Sequence, residues 1–249
     1  MFSRLLLLFY ICLFTVVAGD SQSLRTAEDD AVAAFQKFQK VAFSRQNGAV
    51  NLIEKYYSRE LDLMHYMQSN ITNTVNRKLD STKFYIQAAQ ESVNRLNVTT
   101  CNYDYSSVIE GMRTKLIDRT TECVTLYRDV YWSLYNSTVM EANGLFNNMM
   151  GCQARSRGQC QALHKNDDCF YFYISNAQKA EDVITDAYNL MTANYVNKIN
   201  DIVPTCVDLI NIEISLWPDY YLHTVTECAE NELRNLKKSV CPYDMSLNK

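Results

Sequence analysis

The residues able to move a proton near neutral pH are few, because His65, His164 and His223 are the whole histidine complement. His65 sits in "LDLMHYMQS" with no second histidine four residues on, so the helix motif of zinc proteases is not spelled. His223, in "PDYYLHTVTEC", has Asp219 one turn away, a carboxylate placed to orient an imidazole, but no nucleophile or third group accompanies the pair. His164 lies among Cys152, Cys160 and Cys169, residue types that hold zinc. No close Cys-x-x-Cys pair is present there, and thiols in an oxidising compartment become disulfides instead. The carboxylate pairs Asp29 with Asp30 and Asp167 with Asp168 fall at solvated helix starts or loops, where they complement the positive end of a helix dipole. Neither a Gly-x-Ser-x-Gly elbow nor a phosphate-binding glycine loop occurs. The chain therefore reads as no enzyme, with no cofactor and no metal.

The cysteines gain their meaning from the opening, "MFSRLLLLFYICLFTVVAGD". A basic start at Arg4, an apolar run over 5–17 and small residues at Ala18 and Gly19 spell a signal peptide over 1–19, with a mature domain over 20–249. The apolar run falls short of the roughly 20 residues that cross a bilayer, and no later stretch is apolar enough, so no membrane span is expected. Of nine cysteines, Cys12 departs with the leader. Cys101, Cys123, Cys152, Cys160, Cys169, Cys206, Cys228 and Cys241 remain, an even set that reads as four disulfides of open pairing in a secreted, extracellular protein. Asn70, Asn97 and Asn136 head Asn-x-Thr or Asn-x-Ser/Thr sequons open to N-glycosylation on that route. The net charge of −4 is mixed in sign along the chain with no basic run, which argues against nucleic acid as a partner.

Six glycines and three prolines leave little turn chemistry for a protein of many short strands, and long helices need few breakers. From 29 to 96 apolar residues recur every three or four positions, through Phe35, Phe38, Ala42, Ile53, Tyr57, Leu61, Met64, Ile71, Val75, Leu79 and Ile86, with an interruption expected near Asn47 and Gly48. A second helical region is expected over about 105–150, burying Val108, Met112, Leu116, Tyr127, Tyr131, Leu134 and Tyr135. Its row Tyr127, Tyr131, Tyr135 suits core packing with hydroxyls reaching the edge better than a ligand wall. The segment "GCQARSRGQCQALHKNDDC" reads as a polar loop pinned by disulfides. A third helix should run from about 168 to 200 with Ile174, Ala177, Ala180, Ile184, Tyr188, Met191 and Tyr195 inward, and a fourth region follows Pro204. The fold class is all-α, an elongated disulfide-stapled helical bundle.

One spacing occurs twice: "TCNYDYSSVIEGMRTKLIDRTTEC" closes at Cys123 and "TCVDLINIEISLWPDYYLHTVTEC" at Cys228. An offset of 105 residues superposes Thr100-Cys101 on Thr205-Cys206 and Thr121-Glu122-Cys123 on Thr226-Glu227-Cys228, suggesting two degenerate helical repeats over about 27–130 and 131–241. If each copy is one unbroken helix, its two sulfurs lie about 33 Å apart at 1.5 Å per residue, too far to bond across the roughly 7 Å that a disulfide allows between Cα atoms. Each cysteine then staples its helix to a neighbour; the alternative is a hairpin bend near Gly111 and Pro218. Continuous helix through "SSVIEGMRTKLIDRTTECVTLYRDV" favours the staples. The leader, the long amphipathic helices and the repeated "TC…TEC" spacing resemble secreted insect proteins carrying the TsetseEP-type helical domain, over most of the mature chain. The Glu-Pro tail of the name-giving protein is absent here. The resemblance implies an extracellular role in gut fluid, saliva or another insect secretion, with no established catalytic activity.

Two readings of function follow. In the first the chain is an interaction effector that binds an extracellular protein, glycan or cell surface of host, microbial or self origin. In the second it carries a small apolar ligand between its helices, although the Cys-x-x-x-Cys of insect odorant-binding carriers is absent. Nine methionines and seventeen tyrosines suit either, since both residue types line adaptable pockets and interfaces. The scarcity of glycine and proline favours a rigid bundle and thus the effector.

Overall fold

Between residues 24 and 94 there is no proline and a single glycine, so nothing in the sequence obliges the backbone to leave the α region. The computed structural model describes residues 24–94, 104–162 and 167–240, and accordingly forms one helix there, α1 (Leu24–Asn94, 71 residues). It is followed by α2 (Tyr105–Ala162), α3 (Asp167–Asn200) and α4 (Thr205–Val240), with no strand among the described residues. The protein is all-α and disulfide-stapled. The leader, Asn97, Cys101, Cys241 and His164 lie outside the described residues.

Two boundaries differ from the sequence reading. Asn47 and Gly48 interrupt nothing, since both are exposed positions within α1 and a Cβ on Gly48 would meet no neighbour. A solvent-facing glycine costs a helix only about 1 kcal/mol against alanine, which the packing on either side outweighs. The expected loop over 151–169 is helical to Ala162, with Gly151 and Gly158 inside α2. Two of its inward positions, Gln153 and Ser156, are buried polar residues, so a pattern of apolar residues could not carry the helix through to buried Cys160.

The buried positions follow an eleven-residue period. In α1 they are Ala27, Phe38, Ala49, Glu60, Ile71 and Thr82, with a second row at Ala31, Ala42, Ile53, Met64, Val75 and Ile86. In α2 the rows are Ile109, Thr120, Tyr131, Ala142, Gln153 and, with half-buried Tyr127 between the first two, Leu116, Thr138, Met149, Cys160. Tyr173, Ile184, Tyr195 and Ala177, Tyr188, Ile199 repeat the spacing in α3. Eleven residues in three turns is 3.67 per turn, close to the 3.6 of a free α-helix. A helix patterned this way keeps one face inward over many turns without the left-handed coiling that a seven-residue repeat imposes.

The chain packs as two compact units, each drawing on distant stretches of sequence. Unit 1 takes Met1–Glu60 and Val130–Ile202; unit 2 takes Leu61–Asp129 and Val203–Lys249. In unit 1 α1 and α2 run antiparallel, as the pairs Glu28–Gln161, Gln46–Asn143 and Tyr57–Trp132 show, and α3 completes the core. Large rings meet small partners there: Phe38, Phe170, Tyr173 and Tyr188 among Ala27, Ala31, Ala42, Ala142, Ala177 and Ala180. Cys160–Cys169 closes its α2–α3 connection. In unit 2 Gln68–Thr121 and Lys83–Glu110 set the same antiparallel order, and α4 is the third helix. Its core is aliphatic, from Ile71, Val75, Leu79, Ile86, Ile109, Leu116, Ile210, Ile214 and Val225. Ile109, and not the expected Val108, faces inward; Val108 is exposed. Cys123–Cys206 ties α2 to α4 with Cα atoms 6.1 Å apart.

Candidate functional site

The expected chemistry is dispersed. His65 is exposed on α1, and His223 lies 3.9 Å from Glu227 while its expected partner Asp219 sits 3.2 Å from Lys78. Among the described residues no group of three His, Cys, Asp or Glu side chains is placed to share a metal ion. The cysteines appear as staples between helices: Cys123 with Cys206 and Cys160 with Cys169, with Cys152 and Cys228 also disulfide-bonded. Helix α2 continues through Gly111 and α4 through Pro218, so neither copy of the repeated spacing bends into a hairpin. Asn70 and Asn136 are exposed on α1 and α2.

The tyrosine row divides by role. Tyr131 is buried and donates its hydroxyl to the carbonyl of Ile202 at 3.3 Å. Tyr127 donates to the carbonyl of Val203 at 2.9 Å and accepts from the Thr205 amide, holding the start of α4. Tyr135 stacks on Tyr57, ring centroids 4.6 Å apart. The hydroxyls of Tyr127 and Tyr131 thus bond the backbone that joins α3 to α4.

Every helix exposes some large apolar side chains, and on α4 four of them fall in one row. This helix buries Ile210, Ile214, Pro218 and Val225, with Tyr221 and Leu222 packed beside them. On its other side Leu209, Ile212, Leu216 and Tyr220, spaced by three and four, form a stripe exposed to solvent, and Trp217 flanks it. Leu209, Leu216 and Tyr220 are each about 60% exposed (64%, 63% and 59%). Scattered apolar residues on a surface need no explanation, but a contiguous strip of large ones marks a contact surface. An open depression of about 480 Å³ runs along its edge, lined by Asp208, Asn211, Ile212, Ser215 and Leu216. Trp217 contacts Tyr220 and Tyr221, ring centroids 6.3 and 6.4 Å away, which fixes the aromatic end of the stripe.

Unit 2 holds this helix from its inward side. Arg119 of α2 chelates the carboxylate of Glu213, Lys78 of α1 reaches Asp219, and the disulfide at Cys206 secures the first turn. Pro218 lacks the amide that would bond the carbonyl of Ile214, so these side-chain ties act where the helix's own ladder is incomplete. The sequence reading did not single out this stripe; the signal for it is the crowding in "VDLINIEISLWPDYY", which holds more large apolar residues than one helix face can bury. A surface for a carried ligand would instead be an enclosed apolar chamber. The depression between α1 and α2, of about 320 Å³, is lined largely by polar groups such as Lys83, Gln87, Asp104 and Ser106.

No family model, curated protein or solved structure matches this chain.

Proposed function

We propose that this chain is a secreted, N-glycosylated, non-catalytic interaction protein that binds a partner macromolecule through the outward face of α4. The observation that carries the reading is that α4 is apolar on two opposite faces while its own unit uses one. Burying large apolar side chains yields roughly 1.5–3 kcal/mol each, so a partner that covers the Leu209–Ile212–Leu216–Tyr220 stripe gains a contact centre of the kind that dominates interface energies. The disulfides Cys123–Cys206 and Cys160–Cys169, in a chain with eight cysteines beyond its opening segment, suit a protein that works outside the cell, and the resemblance to secreted insect proteins with the TsetseEP-type domain points to saliva or gut fluid.

The test compares the immobilised protein with its Leu209→Gln/Leu216→Gln variant for capture from such a fluid. A component held by the first and lost by the second, at unchanged thermal unfolding, supports the reading. Equal capture by both contradicts it. Non-denaturing mass spectrometry of the same preparation addresses the carrier alternative: a reproducible lipid-sized extra mass, lost on denaturation, would move the functional site to the interior.

A further inference from the structure

Two exposed aromatic side chains each stand one helical turn before a sequon. Tyr66, 69% exposed on α1, precedes Asn70 by four residues, and Trp132, 52% exposed on α2, precedes Asn136 by four. Both asparagines are themselves exposed. In an α-helix Cα–Cβ bonds tilt toward the N-terminus, so a side chain covers the turn that precedes it, and residues at i and i−4 are neighbours on one face about 6 Å along the axis. A group attached to the Asn70 or Asn136 amide is thereby aimed over the ring at 66 or 132. Trp132 has one side occupied by Tyr57 and Tyr135, at centroid distances of 6.0 and 5.6 Å, and turns its remaining surface to solvent.

From this spacing we infer that the N-glycans at Asn70 and Asn136 fold back onto Tyr66 and Trp132, each ring receiving the C–H face and acetyl methyl of the first N-acetylglucosamine. The inference rests on the secretory reading above, which supplies the modification. In the transfer, the anomeric C–O bond to a polyprenyl diphosphate donor breaks as a C–N bond forms to the side-chain amide nitrogen. The amide loses a proton and the lipid diphosphate leaves, with no change of oxidation state. Covering the rings removes apolar area from water. No Asn-x-Ser/Thr falls within α4, so the stripe there keeps its exposure while these two aromatics are shielded.

The experiment is to express the full chain in a secreting insect-cell host with isotope-labelled sugar, map occupancy by glycopeptide mass spectrometry, and record the acetyl-methyl resonances. The expected result is occupancy at both sites, with each first-sugar methyl shifted upfield by a ring current. The shift is lost from one glycan in Trp132→Ala and from the other in Tyr66→Ala. Tyr66 is the more exposed, so its variant folds even if loss of the Trp132 stack disturbs α2. Glycans present with methyl shifts unmoved by either substitution overturn the inference and leave the secretory reading standing, as does secretion with both sites bare. Retention of an unmodified chain with its leader uncleaved overturns the secretory reading itself, and the inference with it.

Discussion

The third helices of the two units do different work with similar apolar content. Helix α3 buries Cys169, Phe170, Tyr173, Ala177, Ala180, Ile184, Tyr188, Met191, Tyr195 and Ile199 along one face, and its exposed large residues, Tyr171, Phe172 and Leu190, fall in no helical row. Helix α4 buries Ile210, Ile214 and Val225 and leaves Leu209, Ile212, Leu216 and Tyr220 to solvent. Unit 1 thus completes itself with rings set against alanines. Unit 2 relies on a smaller aliphatic core, on the ion pairs of Arg113, Arg119 and Lys78, and on a long-range disulfide. The lesson is that apolar composition does not say where a helix is finished; the count of faces does.

The disulfides sharpen this contrast most. Cys123–Cys206 closes a loop of 83 residues and Cys160–Cys169 one of 9. Chain-entropy arguments make the first worth about 4–5 kcal/mol and the second about 2.5 kcal/mol. Replacing Cys123 and Cys206 together by alanine is therefore expected to lower the unfolding midpoint in urea far more than replacing Cys160 and Cys169. Equal losses would break the assignment of the long-range staple to unit 2.

Within unit 1 two buried tyrosines separate hydrogen bonding from packing. Tyr188 donates to the Ala142 carbonyl at 2.9 Å, whereas the Tyr195 hydroxyl has no partner among the described residues. Tyr188→Phe is expected to cost about 1 kcal/mol, while Tyr195→Phe should be neutral or stabilising, because an unpaired buried polar group carries its desolvation cost unrelieved. Paired denaturant titrations decide between them.

Alkaline pH should act on the same rings. Burial holds the hydroxyls of Tyr173 and Tyr188 up to about 12, with Arg157 opposing the effect at Tyr173, and burial raises Tyr195 as well. The unfolded chain releases these protons near pH 10. Between the two values the unfolded state binds fewer protons, so this contribution is whole below about pH 10 and is lost as pH rises toward 12. Phenolate absorbance followed against helix content should show a delayed fraction that ionises as unit 1 unfolds; titration of every tyrosine near 10 with helices intact would contradict the burial.

The smallest effect belongs to the ion pairs of unit 2. Arg113 bonds Asn76 at 2.8 Å, Asp80 and Glu110, and the Asp80 hydrogen bond is foremost in holding its pKa above the usual guanidinium value. Its carboxylate partners are exposed, so Arg113→Met should cost no more than about 1 kcal/mol, with the loss shrinking as salt is added.

Much of this was legible in the residues. The inward row of α3 reads directly from Ala177, Ala180, Ile184, Tyr188, Met191 and Tyr195, because apolar type and burial coincide there. In α1 and α2 they part company: the eleven-residue rows pass through Glu60, Thr82, Thr120, Thr138 and Gln153, which are buried polar residues. Thr82, Thr120 and Thr138 reconcile the two by bonding the carbonyl four residues back, at Lys78, Leu116 and Leu134. A reading keyed to hydrophobicity loses the row at each such residue, which is why the end of α2 looked like a loop. The exposed stripe of α4 escaped for the opposite reason, since Leu209 and Ile212 look like core in any pattern that does not already know which face Ile210 and Ile214 occupy.

The central claim, that α4 has one face for its own fold and one to spare, is tested most directly by the thermal unfolding of Ile214→Gln beside Leu216→Gln. Both place the same amide on the same helix two residues apart. The account requires a loss of about 2–4 kcal/mol for Ile214→Gln, where the amide is buried without a partner, and a change within about 0.5 kcal/mol for Leu216→Gln at the surface. Comparable losses at both positions would mean that the chain itself covers the stripe, and the proposed binding face would fall.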